Sequence, residues 1–132
     1  MKNVPITLKI LSVIFFYLVA VFIFTLLSLQ TDGNFFQNII RGDEFRWDYE
    51  AMFSAIYFVW AIYLWKASKE PEKHTHFIDF TIWANILHAV VMTTVGIFRS
   101  GELYHLFGDS LLIGLPAVVL LFFRRKYLIT QK

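Results

Sequence analysis

Cysteine is absent from the 132 residues. That excludes disulfides, thiolate metal sites, iron–sulfur clusters, lipid attachment through sulfur and a cysteine nucleophile. Charge is also scarce: 12 Lys and Arg against 10 Asp and Glu make 17% of the chain, where ordinary globular proteins carry about 25%. The few charges are bunched, leaving four stretches with none. The G-x-S-x-G, H-E-x-x-H and Gly-rich phosphate-loop signatures are missing. The net charge of +2 is uninformative about nucleic acid, because the basic residues gather at the ends of apolar runs where they can meet lipid headgroups, and no nucleic-acid partner is expected.

What is present is apolar. Hydrophobic residues make up 58% of the chain, above the roughly 45–50% of soluble domains, and this places the protein in a membrane. The expected fold is all-α: an integral membrane, up-down bundle of four transmembrane helices in one domain, over about 10–29, 49–67, 79–98 and 105–123. Each span provides roughly 19–20 residues at about 1.5 Å per residue. Helix is the conformation that satisfies backbone polar groups within hydrocarbon. Lys2 and Lys9 precede the first run as in a signal peptide. However, residues 10–31 are all uncharged, longer than the roughly 7–15 residue apolar core of such a peptide. A retained first helix is expected.

If the N-terminus is cytoplasmic, nine basic residues lie inside (Lys2, Lys9, Lys66, Lys69, Lys73, Arg124, Arg125, Lys126, Lys132) and three outside (Arg41, Arg46, Arg99). The positive-inside rule then puts both termini in the cytoplasm, and we expect a multi-pass protein of the bacterial inner membrane. The 30–48 loop lies outside. Its Phe35, Phe36, Ile39 and Ile40 recur at helical spacing, which suits a short interfacial helix with Trp47 as a headgroup-level anchor. The segment 66–79 is read as the cytoplasmic connection, with Pro71 where a helix has already stopped.

Polar residues within the spans locate inward faces. Thr81, Asn85, His88, Met92 and Gly96 form one stripe on the third span, and Glu50, Ser54, Tyr57 and Ala61 another on the second. On the fourth, His105, Asp109 and Pro116 lie near one face, with Gly108 and Gly114 allowing close approach. The first span offers only Tyr17, Thr25 and Ser28 and is expected to be the most lipid-like wall. Together these stripes predict an outward-opening polar cleft lined by Glu50, Ser54, Tyr57, His88, His105 and Asp109. His88 lies about 15 Å below the outer surface, near the midplane, with Tyr57 and Asp109 as its nearest partners.

Helix caps and interhelical hydrogen bonds are the simplest use of these residues, with Asp109 bonding His105 one turn back and Glu50 at a helix N-terminus. A cleft for a lipid or quinone headgroup, or for a proton, is the sharper one. Metal ligation would use Glu50, His105 and Asp109; His88 is about 15 Å too deep to share an ion with His105, and the same mismatch argues against bis-His haem. His74 and His76 lie on the other side of the membrane. Acid–base chemistry by His and carboxylate on a lipid-soluble substrate is an alternative resting on residue types alone. No residue is assigned as catalytic, and the sequence requires no cofactor. The 15 Phe, 6 Tyr and 4 Trp offer extensive apolar packing surface. The expected function is therefore a non-enzymatic membrane module whose partners are membrane lipids and either further copies of itself or a larger membrane complex.

The pieces DYEAMFSAIY (48–57), EPEKH (70–74), IDFTIWANILH (78–88) and HLFGD (105–109) resemble small bacterial four-helix membrane proteins of unknown function, DoxX-like in layout. The resemblance covers roughly 48–116. It implies a four-helix integral membrane fold, carries no substrate, and draws attention to Glu50, His88, His105 and Asp109.

Overall fold

The computed structural model describes residues 3–28, 47–98 and 110–130, excluding the side chains of 25–28, 47, 49, 50 and 126–130. Its described part is all-α, with four helices: α1 (Asn3–Ser28), α2 (Trp47–Lys69), α3 (Thr75–Phe98) and α4 (Leu111–Thr130). A single 3-10 turn, Pro71–His74, links α2 to α3. The 30–48 loop reading falls almost wholly outside the described residues.

Helix ends depart from the uncharged windows in a consistent way. α1 starts at Asn3 rather than Ile10, tolerating Pro5 because the first-turn N–H groups have no intrahelical partner. The Thr7 hydroxyl donates back to the Asn3 carbonyl at 2.9 Å. α2 continues to Lys69 and α3 begins at Thr75, so Asp79, expected at the boundary between the connection and the third span, lies well inside a helix, and α4 continues beyond Phe123. Charged side chains end the apolar run but not the helix, since long cationic stems reach water while the backbone goes on. The true break is at Glu70, whose φ of −137° and ψ of 67° leave helical space just before Pro71. Lys73 closes the turn twice, through N–H to the Glu70 carbonyl (3.1 Å) and Nζ to its carboxylate (3.0 Å).

The core corrects the expectation for α1. Rather than a lipid-like wall, α1 packs along both α2 and α4. Val4, Leu8, Leu11, Phe15 and Leu18 are buried at intervals of 4, 3, 4 and 3 residues. On α2 the buried residues Ser54, Tyr57, Ala61, Leu64 and Ser68 answer at 3, 4, 3 and 4. Two such seams interdigitate as in coiled coils. Lys9 meets Trp65, Ser12 meets Ala61, and Phe15 meets Tyr57 and Trp60, so the two helices run antiparallel. Where they cross, the Ser12 hydroxyl donates to the Ala61 carbonyl at 2.8 Å. Small residues at that point permit the close approach. Tyr17, taken as one of α1's polar markers, is half exposed.

α3 and α4 are also antiparallel, with contacts from Asp79–Arg124 at one end through Ala89–Gly114 to Thr93–Ser110. By contrast, the backbones of α2 and α3 scarcely approach each other. Rings bridge them instead: Trp60 on Phe80 (5.4 Å between centroids) and Tyr63 on Phe77 (5.9 Å).

The outward faces are apolar. Phe24, Leu87, Ile97, Phe98, Leu115 and Phe122 are each more than half exposed, as are many Ile and Val side chains. A soluble monomer rarely shows so much contiguous apolar surface. Among the described residues three stretches, Asn3–Phe24, Ala51–Lys69 and Pro71–Phe98, are long and apolar enough to cross a membrane.

Candidate functional site

Among the described residues, two groups of polar side chains join neighbouring helices besides Ser12 at the α1–α2 crossing. The first lies on the inner faces of α2 and α3. Ser54 and Tyr57 are each 7% exposed on the α2 seam. The Tyr57 ring is boxed by Phe15, edge-on at 4.8 Å, and by Phe53 and Trp60, stacked at 6.1 and 6.3 Å. Such ring pairs add about 0.5–1.5 kcal/mol beyond area burial and fix the ring plane. From the same cluster the Trp60 indole Nε1–H donates to Thr81 Oγ1 at 3.0 Å, tying α2 to α3. Thr81 is fully buried, and its carbonyl accepts from Asn85 Nδ2 at 2.7 Å. His88 follows Asn85 on the same stripe, half-buried, with Nε2 shut off from the surface. Hydroxyl, amide and imidazole groups thus share the apolar interior, a setting that can hold a hydrogen-bonding headgroup or pass a proton.

The second group is near the turn end. Arg124 of α4 meets Asp79 of α3 as a fork, Nε to Oδ1 at 3.1 Å and Nη2 to Oδ2 at 3.4 Å. The Arg124 side chain is 13% exposed and that of Asp79 46%. Two parallel N–H···O contacts set the relative rotation of the helices as well as their distance. Towards the opposite end of the same pair, Thr93 Oγ1 donates to Ser110 Oγ at 3.0 Å, and Ser110 reaches the Ala89 carbonyl at 3.4 Å.

Of the six residues expected to line the cleft, Ser54, Tyr57 and His88 have described side chains. The backbone of Glu50 belongs to the first turn of α2 while its side chain is outside the described set, and His105 and Asp109 lie outside the described residues. Among the described residues no three His, Asp or Glu side chains assemble as a metal set, while Glu50, His105 and Asp109 fall outside that statement. Sequence reasoning passed over Ser12, Trp60, Asp79 and Arg124. Trp60 had a usable signal, lying three residues from Tyr57 on one helix face. Ser12 was the single hydroxyl in the first half of α1 beyond Lys9. Asp79 and Arg124 were read at the edges of the third and fourth spans, where ion pairs carry little information.

A family model described as a family of unknown function (DUF6632) matches residues 3–132. The chain belongs to that family. The match runs through all four helices and is not confined to 48–116, so membership describes the whole bundle while supplying no chemistry. No curated protein and no solved structure matches the chain.

Proposed function

We propose that the chain is a multi-pass membrane protein acting as a non-enzymatic module, either self-associating or as a small subunit of a larger membrane complex. Its polar cleft opens outward and receives a lipid or quinone headgroup or a proton. One observation carries the reading: large apolar side chains cover the outward faces of helices long enough to span, while Ser54, Tyr57, Thr81 and Asn85 are turned inside. The antiparallel seams of α1 with α2 and of α3 with α4 support an up-down layout, and the nine-to-three division of basic residues supports cytoplasmic termini. A bacterial inner membrane and a DoxX-like layout belong to the same proposal.

The test has two parts. Because the native chain lacks Cys, Lys132→Cys labelled from either side of the membrane reports topology, and labelling from outside only would overturn the orientation. Purification in mild detergent should give an oligomer or a co-purifying partner. A strict monomer with no partner would end the module reading, and a monomer that turns over a lipid-soluble substrate would replace it with the enzyme reading. Elemental analysis of the same sample tests metal at Glu50, His105 and Asp109.

A further inference from the structure

Two exposed rings at the turn end of α1 and α2 carry cations. Lys9 Nζ stands 5.9 Å from the Trp65 ring centroid, and Lys66 Nζ stands 5.2 Å from that of Tyr63. Lys69 follows Trp65 by four residues and Lys66 by three, which places it on the same arc of α2. All three lysines are exposed. Of the nearby acids, Glu70 is engaged by Lys73 and Asp79 by Arg124, while Glu72 is exposed on the 3-10 turn. Among the described residues no carboxylate pairs with Lys9, Lys66 or Lys69. Like charges at i and i+3 repel, and an anion between them relieves that repulsion.

Below the cations runs an apolar track. Seven residues from Lys9 along α1 is Phe16, and seven before Trp65 on α2 is Phe58; their rings meet edge-on at 6.0 Å and are 37% and 46% exposed. Seven residues is two helical turns, so this ring pair lies about 10 Å deeper on the same side. Cations and amphipathic rings above, with exposed Phe rings directly beneath, match the order of phosphate, glycerol and acyl chain in a phospholipid.

The geometry points to a site for one anionic phospholipid on the outer side of the α1–α2 seam. Lys9, Lys66 and Lys69 supply the positive charge at the phosphate, Trp65 lies at glycerol depth, and an acyl chain runs over Phe16 and Phe58, while Tyr63, two residues from Trp65 and packed on Phe77 of α3, lies on another side of α2. This rests on the membrane reading above. The track beneath the lysines is what selects lipid over free phosphate.

The experiment reconstitutes the full chain in nanodiscs of equal phosphatidylglycerol and phosphatidylcholine and counts retained lipids by native mass spectrometry. Wild type should retain phosphatidylglycerol preferentially. Lys9→Gln and Lys66→Gln should each lower that preference about fivefold, the worth of one basic residue at an anionic surface. Lys73→Gln, whose lysine is already paired with Glu70, should leave it unchanged. Equal retention of both lipids by wild type, or an equal loss in Lys73→Gln, overturns the site. Displacement of the lipid by inorganic phosphate overturns the lipid assignment in favour of a phosphate site. Alkaline carbonate extraction separates the underlying reading: release from membranes ends the membrane assignment, whereas retention without lipid preference ends only this inference.

Discussion

Gly114 of α4 meets Ala89 of α3 so closely that a Cβ built on the glycine would stand 2.7 Å from the Ala89 Cβ. Neither partner is the end of a flexible chain, so the helices themselves would have to move apart. Gly114→Ala gains about 1 kcal/mol of helix propensity but overpacks the interface at a cost of about 1–3 kcal/mol. We expect net destabilisation, read as a lower unfolding midpoint in detergent. Adding Ala89→Gly should recover most of the loss; a single variant at or above the wild-type midpoint refutes the contact.

The same pair shows which parts of the fold are legible in sequence. Gly114 and the α3 stripe stood out because a small or polar residue is an exception within an apolar span, and Thr81, Asn85 and Gly96 are buried. On α1 that contrast disappears. Leu8, Leu11 and Phe15 face the core while Ile10, Val13 and Phe16 face outward, and all are equally apolar. Where every face of a helix is apolar, the inside–outside pattern that marks an amphipathic helix is erased. What survives is the heptad-like spacing and Ser12, and the count of polar residues missed both. Helix ends were blurred for a related reason, since counting charge locates the edge of the apolar run rather than the edge of the helix. The polar group shared by α2 and α3 was legible only as residue types, because bringing the two helices together depends on Trp60 and Thr81, a contact between residues 21 apart.

Ser12 provides a direct check on the central position of α1. Its hydroxyl bonds the Ala61 carbonyl, which also serves the α2 helix, so Ser12→Ala should cost only about 0.5–1 kcal/mol. Ser12→Leu inserts a larger side chain at a fully buried crossing and should cost about 1–3 kcal/mol or more. The corresponding change at exposed Val13, Val13→Leu, should be nearly silent. If Ser12→Leu unfolds at the wild-type temperature, α1 does not pack on α2 at this point.

The Asp79–Arg124 fork lies between a surface pair and a buried one, since Arg124 is largely covered and Asp79 is not. Arg124→Ala should therefore cost about 1–2 kcal/mol, above exposed pairs and below buried ones. Arg124→Lys keeps the charge but loses the second contact and should recover only part of the stability. The exchange Asp79→Arg with Arg124→Asp restores opposite signs, and a double-mutant cycle measures the coupling. Additive single effects would show that the two helices are held without it.

His88 is where packing and function give different outcomes. It follows the buried Asn85 on α3, with Nε2 closed off from the surface, so the imidazole is held within the bundle. If packing is its whole role, His88→Asn keeps a donor and an acceptor and should cost about 1 kcal/mol, in line with hydrogen bonds inside membranes. His88→Leu then removes a polar group from the interior and leaves stability equal or higher. If His88 instead binds a headgroup or carries a proton, both variants should fold while losing the species that co-purifies with wild type, because neither side chain titrates near neutral pH. Unfolding midpoints and native mass spectra from the same preparations separate the two. The cleft proposed above predicts folded variants with the co-purifying species lost in both. An unchanged spectrum together with a lowered midpoint in His88→Asn would assign His88 to packing and remove it from the cleft.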